Sequence, residues 1–219
     1  KAEMAQWIFP LHFIDFETST VALPFTAGRT PYEQVAFQFS HHVYNEDGSI
    51  EHRTEFISNT PGEFPNFLFA RALHNALMND NGSIFRFATH ENSILNAIVE
   101  QLRNSDEADK EELISFLKTI TISKNDSSDA WSGERKMIDL NKIIKDYYYN
   151  PFTKGSNSIK AVLPACLNSS LFLRNKYANQ LEQINVSSKN FKGTHIWLSI
   201  QNNEVINPYK MLPSLYEGL

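Results

Sequence analysis

A single cysteine, Cys166, is all the thiol that this 219-residue chain carries. No disulfide can close within it and no thiolate zinc site can be assembled, so a cytoplasmic compartment is the simplest expectation. No charged start leads into an apolar signal stretch, and no apolar run is long enough to suit a membrane. Positive charge is not in excess either. Twenty basic residues against 25 acidic ones leave a net of −5, which argues against broad electrostatic gripping of long duplex DNA. A local basic groove beside an acidic site remains compatible with that balance. Nucleophile elbows, Walker loops, dinucleotide fingerprints, internal repeats and low-complexity tracts are all missing.

What is there suits a folded domain. Hydrophobic residues make up 42% of the chain, and 16 Phe and 8 Tyr imply an aromatic core and aromatic clefts. The length fits one well-packed domain with room for an appendage. Leu11 to Thr18 reads as a strand, followed by a loop to Pro31. Val35, Phe37, Phe39, His41 and Val43 alternate with polar or small residues, which predicts a half-buried strand with those five on one face. Asn45 to Gly48 is a hairpin turn, and Ile50 to Ser58 returns as a third strand. A helix is expected over Phe67–Met78, a short apolar strand over Ser83–Ala88, and a helix over His90–Leu102 capped by Thr89. Ile94, Leu95, Ile98 and Leu102 share a face of that helix. Ser105–Leu117 reads as a charged helix, Ser123–Gly133 as a polar loop, and Leu140 to Tyr147 as an amphipathic helix. Ser156 or Ser158 caps another. The expected fold is α/β, a mixed five-stranded sheet with an antiparallel meander, parallel strands and flanking helices.

The chemistry concentrates in Asp15-Phe16-Glu17-Thr18. Strand geometry places Asp15 and Glu17 on one face. Two adjacent carboxylates repel unless a cation lies between them, and oxygen-rich sites favour Mg²⁺ or Mn²⁺. Glu91, just after a predicted strand, would reach the same place if that strand lies beside the first. Its bland alternative is a first-turn acid serving only the helix dipole. Asp139 reads mainly as an N-terminal helix acid, with a secondary role at a metal-held water as the alternative. From Arg135 to Lys160 six basic residues oppose two acidic ones, interleaved with Tyr147, Tyr148, Tyr149 and Phe152. That mixture suits single-stranded nucleic acid, against a solvated helix face with core tyrosines. His42 and His52 can meet across the hairpin, and a metal role for His41, His42 and His52 is disfavoured because His41 and His42 point to opposite faces. Cys166 reads as a buried small hydrophobe.

Asp15-Phe16-Glu17-Thr18, a meander and an acid after the fourth strand resemble the DEDD (DnaQ-like) 3′–5′ exonucleases, which have an RNase H-like fold. Within that superfamily the chain resembles a bacterial domain family of unknown function. Further matching stretches are Pro31-Tyr32-Glu33-Gln34 with Phe37-Gln38-Phe39-Ser40, and Met137-Ile138-Asp139-Leu140. The most specific runs from Gly155 to Pro164, and another runs from Pro208 to Pro213. The resemblance implies one RNase H-like exonuclease-type domain over 1–219. It also implies two-metal hydrolysis, with ions about 3.5–4 Å apart, of phosphodiester bonds at a DNA or RNA 3′ end. Asp15 would bridge the metals, with Glu17 and Glu91 each completing a coordination shell. His90-Glu91 stands where most relatives have an aromatic residue and Asp. Thr18, Lys160, Tyr148 and Tyr149 are the expected nucleic-acid-binding residues. The family's last acid lies downstream of the Pro208 stretch, past Leu219, so the expectation is a C-terminally truncated piece of a longer chain with further domains. A catalytically inactive nucleic-acid-binding or regulatory module is the alternative.

Overall fold

The structure, a computed structural model, describes residues 2–124, 129–202 and 204–211. They divide into two compact units, one of residues 2–47 and 52–139, the other of Gly48–Glu51 and 140–211. Among the described residues no helix is long and apolar enough to cross a membrane.

The first unit is built on β1 (Leu11–Thr20), β2 (Gln34–Tyr44), β3 (Ile50–Ile57, from His52 on in this unit), α1 (Asn66–Leu77), β4 (Ile84–Arg86), α2 (His90–Arg103) and α3 (Lys110–Ile120), with the two-residue strands β5 (Ile122–Ser123), β6 (Trp131–Ser132) and β7 (Ile138–Asp139). Within this unit the strands run in the order β7-β4-β1-β2-β3, five of the six strands of a sheet that was expected to have five. Strand β2 lies antiparallel to β1, whereas β4 is parallel to β1 and β7 is parallel to β4. This is a mixed α/β fold compatible with an RNase H-like arrangement.

Ile14 and Phe16 of β1 and Phe39 of β2 bury against α1 and α2. Phe69 is the aromatic hub, meeting Phe16, Phe39 and Phe56 edge-on at centroid distances of 4.8, 5.3 and 5.8 Å. Asn66, wholly buried, fastens α1 to the sheet. Its Oδ1 accepts from the Ala36 amide at 2.8 Å, and its Nδ2 donates to the Gln34 carbonyl at 2.9 Å. The predicted face of α2 is the buried one, with Ile94, Leu95, Ile98 and Leu102 at 2% exposure or less.

Three expectations need correction. The alternation in β2 slips. Glu17 pairs with Gln38 but Thr18 pairs with Ala36, so Phe37 is the extra residue of a β-bulge. Ala36, Phe39, His41 and Val43 are therefore buried, whereas Val35 and Phe37 are only half-buried. Second, α3 begins at Lys110 rather than Ser105. The side chain of Arg71 binds Asp109 with two bonds of 2.6 Å and also binds Glu107, which holds the preceding turn out of the helix. Third, part of the predicted polar loop is ordered as the antiparallel pair β5–β6, and residues 125–128 of that loop lie outside the described residues. Thr89 occupies the N-cap of α2 without a side-chain cap bond.

A buried polar chain runs beneath the first strands. The Thr54 hydroxyl and His41 Nδ1 lie 2.8 Å apart, His41 Nε2 and His12 Nδ1 2.9 Å, and His12 Nε2 and Asp80 Oδ1 2.8 Å. Arg135 closes it, donating to the Gly82 and Leu77 carbonyls and to Asp80. The Arg135 guanidinium is therefore structural, and no member of a nucleic-acid-facing cation set.

The second unit holds α4 (Leu140–Tyr147), α5 (Ile159–Ser169), α6 (Leu171–Tyr177) and the short strands β8 (Val186–Ser187), β9 (Ile200–Gln201) and β10 (Glu204–Val205). Ile50 and Glu51 pair in parallel with β8 here, and β9 pairs with β10. Ser158, rather than Ser156, caps α5 by accepting from the Lys160 amide. Residues 212–219, which include the end of the Pro208 stretch and the final Leu215–Leu219, lie outside the described residues.

Candidate active site

Strands β1, β4 and β7 run in one direction, so their C-terminal ends deliver residues to one edge of the sheet. Open α/β sheets place their sites at that edge. Asp15 and Glu17 stand inside β1, which runs on to Thr20, on the face opposite the buried Ile14 and Phe16, and both are exposed. The bulge falls just after Glu17 and re-aims Thr18, whose hydroxyl shares a 3.1 Å hydrogen bond with His90 Nε2 at the first residue of α2.

Glu91 follows His90 and is 3% exposed, far more buried than a first-turn acid serving only its helix. Its Oε2 has no hydrogen-bond partner among the described residues. Burial pushes its carboxyl up to about 7, helped by the charges of Asp15 and Asp139 and opposed by its own backbone amide and Arg86. Asp15 stays exposed as a residue, yet the protein around its carboxyl strips part of its water and raises it, with the Phe16 amide and His90 acting against the rise.

Asp139 is the last residue of β7 and directly precedes α4, the helix start at which the sequence placed it. Its Oδ1 accepts from the Ala88 amide at 3.0 Å, and its Oδ2 lies 3.5 Å from Arg86 Nη1. Ala88 sits at φ +71°, a left-handed conformation rare for a residue with a side chain. The Asp139 bond holds that turn between β4 and α2, and the turn in turn sets where His90 and Glu91 begin.

Asp15 and Asp139 thus each lie within electrostatic reach of Glu91, with Arg86 beside Glu91 and Asp139, and His90 near Asp15 and bonded to Thr18. Glu17 stays exposed two residues beyond Asp15. Among the described residues no three His, Cys, Asp or Glu side chains form a ready-made metal-binding group. The donor set nonetheless fits a hard divalent cation in its chemistry. It is carboxylate oxygen, and one buried oxygen of Glu91 lacks any partner.

A family described as a domain of unknown function (DUF2779) matches residues 12–158. The chain belongs to that family. The DUF2779 match contains Asp15, Glu17, Thr18, Glu91, Asp139, Tyr148 and Tyr149, and stops just before Lys160. No curated protein and no solved structure matched the chain.

Lys160, Tyr148 and Tyr149 belong to the second unit. Tyr148 is half-buried and its hydroxyl accepts from Cys166 Sγ at 3.3 Å; Cys166, expected as a buried small hydrophobe, is only half-buried. Tyr149 is 90% exposed, which rules out a core role for it. Lys160 Nζ lies 5.8 Å from the Tyr209 ring centroid. His42 and His52 stack at 4.3 Å, as the hairpin allowed. Sequence reasoning missed Arg86 and His90 as parts of the acid cluster. The signals were there: an arginine inside an otherwise apolar strand, and a histidine directly before the candidate acid.

Proposed function

We propose that this protein is a metal-dependent nuclease, a 3′–5′ exonuclease that uses Mg²⁺ or Mn²⁺ to hydrolyse phosphodiester bonds at single-stranded DNA or RNA ends. The observation that carries the reading is Glu91. It is a buried carboxylate with an unmet oxygen, held beside Asp15 and Asp139 at the C-terminal edge of three parallel strands. A protein that collects like charges in this way gains from a cation among them. The order of the acids, one pair on the first strand and one after the fourth, supports placing the chain with the DEDD exonucleases.

Asp15 and Glu91 would hold the cations, with Glu17 and Asp139 as the further oxygen donors. Divalent ions, when bound, supply Lewis acidity to the phosphodiester. The chain's own part is positioning. Thr18 and His90 tie the strand exit to the start of α2, and Asp139 holds the Ala88 turn that presents Glu91.

A second reading, a catalytically inactive nucleic-acid-binding module, is favoured by Arg86. Its guanidinium already lies beside Asp139 and offsets the charge of Glu91. Mg²⁺ and Mn²⁺ titrations with 5′-labelled single-stranded DNA and RNA separate the two. The nuclease shortens them from the 3′ end only with metal, and Asp15→Ala abolishes cleavage without altering the fold. Cleavage by that variant at the wild-type rate refutes the site, and metal-insensitive binding without shortening supports the module.

A further inference from the structure

The second unit carries a surface of its own. Asn150 Nδ2 donates to Ser169 Oγ at 3.0 Å, which ties the segment after α4 to the end of α5. Within three residues of that bond stand Tyr149, Phe152, Leu171 and Phe172, respectively 90%, 56%, 75% and 73% exposed. The presentation is built. Asn150 Oδ1 also accepts from the Phe152 amide, and Ser170 caps α6 by accepting from the Leu173 amide. Three aromatics and a leucine turned to water at one place are a costly surface unless something covers them.

Charge says what kind of partner fits. Between Leu140 and Tyr177 six Lys and Arg residues face a single acid, Asp146, so this stretch is +5 while the rest of the chain is −10. Exposed Lys154 and Lys160 belong to it. Cations with flat aromatic faces match phosphates alternating with bases, and the base faces are open only in a single strand.

We infer that this surface holds single-stranded nucleic acid, with bases stacking on Tyr149, Phe152 and Phe172 and phosphates meeting Lys154 and Lys160. The inference deepens the nuclease reading and shares with it only the class of polymer; it uses none of the acids. The test is fluorescence anisotropy of the full chain in EDTA with labelled oligo(dT), and with its duplex on oligo(dA). Oligo(dT) binds at least about tenfold tighter than the duplex, and Tyr149→Ala with Phe172→Ala weakens it at least about tenfold. Lys154→Gln with Lys160→Gln flattens the salt dependence between about 50 and 200 mM. Circular dichroism verifies that each variant is folded. Equal binding of duplex, or wild-type affinity in the aromatic double variant, overturns the inference. If that variant instead loses self-association or binding to anionic vesicles, with oligo(dT) binding unchanged, the surface belongs to a protein or a membrane. Cleavage lost with binding kept counts against the acid chemistry alone.

Discussion

Glu91→Gln isolates the cost of keeping a charge in the acid cluster. Glu91 rises from its ordinary 4.5 to about 7 because burial strips its water and Asp15 and Asp139 add like charge. An acid whose folded pKa is raised favours folding below its unfolded pKa, and that benefit is lost as pH climbs through the folded pKa. In that window the unfolded chain has released a proton that the folded chain still holds. Relative to acid conditions the wild-type fold therefore loses about 1 kcal/mol by pH 5 and about 3 kcal/mol by pH 8. Glutamine has nearly the same shape and cannot ionise. The variant should gain over wild type by about 2–3 kcal/mol more at pH 8 than at pH 5, or about 5–10 °C in midpoint for a chain of this size. Thermal unfolding in EDTA across that pH range measures the difference. Added Mg²⁺ or Mn²⁺ should raise the wild-type midpoint at pH 8 more than that of the variant, with proton release on binding. Midpoint curves of the two proteins that run parallel from pH 5 to 8 would refute the buried, like-charge environment of Glu91.

Two further outcomes test the frame around the site. In Gly82→Ala the new Cβ would meet the Pro10 carbonyl oxygen at 1.9 Å and His12 Nε2 at 2.8 Å. A loss of about 3 kcal/mol in urea unfolding is expected; a loss below about 1 kcal/mol would mean that the Pro10–Gly82 approach is not as close as described. Burial also lowers His12 and takes His41 from its ordinary 6.5 to about 3, with His12 and Arg53 adding to the effect on His41. As pH falls below 6.5 the unfolded chain takes up protons that these buried rings refuse. The fold should therefore lose about 3 kcal/mol from His41 alone by pH 4.5, read as a falling urea midpoint that His41→Gln makes shallower.

Legibility followed the range of the forces involved. The face of α2 and the existence of the first three strands could be read because they rest on local periodicity and one tight turn. Ser158 as a cap could be narrowed to a pair, since a cap needs only its own next few residues. The β2 face was misread because a bulge is a property of two paired strands, and nothing local marks Phe37 as the residue left over. The start of α3 was misplaced because its turn is held by Arg71, more than thirty residues earlier in the chain. Tyr149 and Phe152 have the same composition whether buried or exposed, and only packing separates the two.

The chain's own pattern was enough to specify a mixed α/β sheet, an acidic pair on one face of its first strand, and an acid opening the helix after the fourth. Each of these depends on the spacing of neighbouring residues. That Glu91 is buried, that Asp139 ends a strand and holds Ala88, and that Arg86 enters the cluster were decided only by tertiary structure. Parallel pairing of β1, β4 and β7 brings together residues far apart in sequence, and desolvation and Coulomb interactions exist only once they have met.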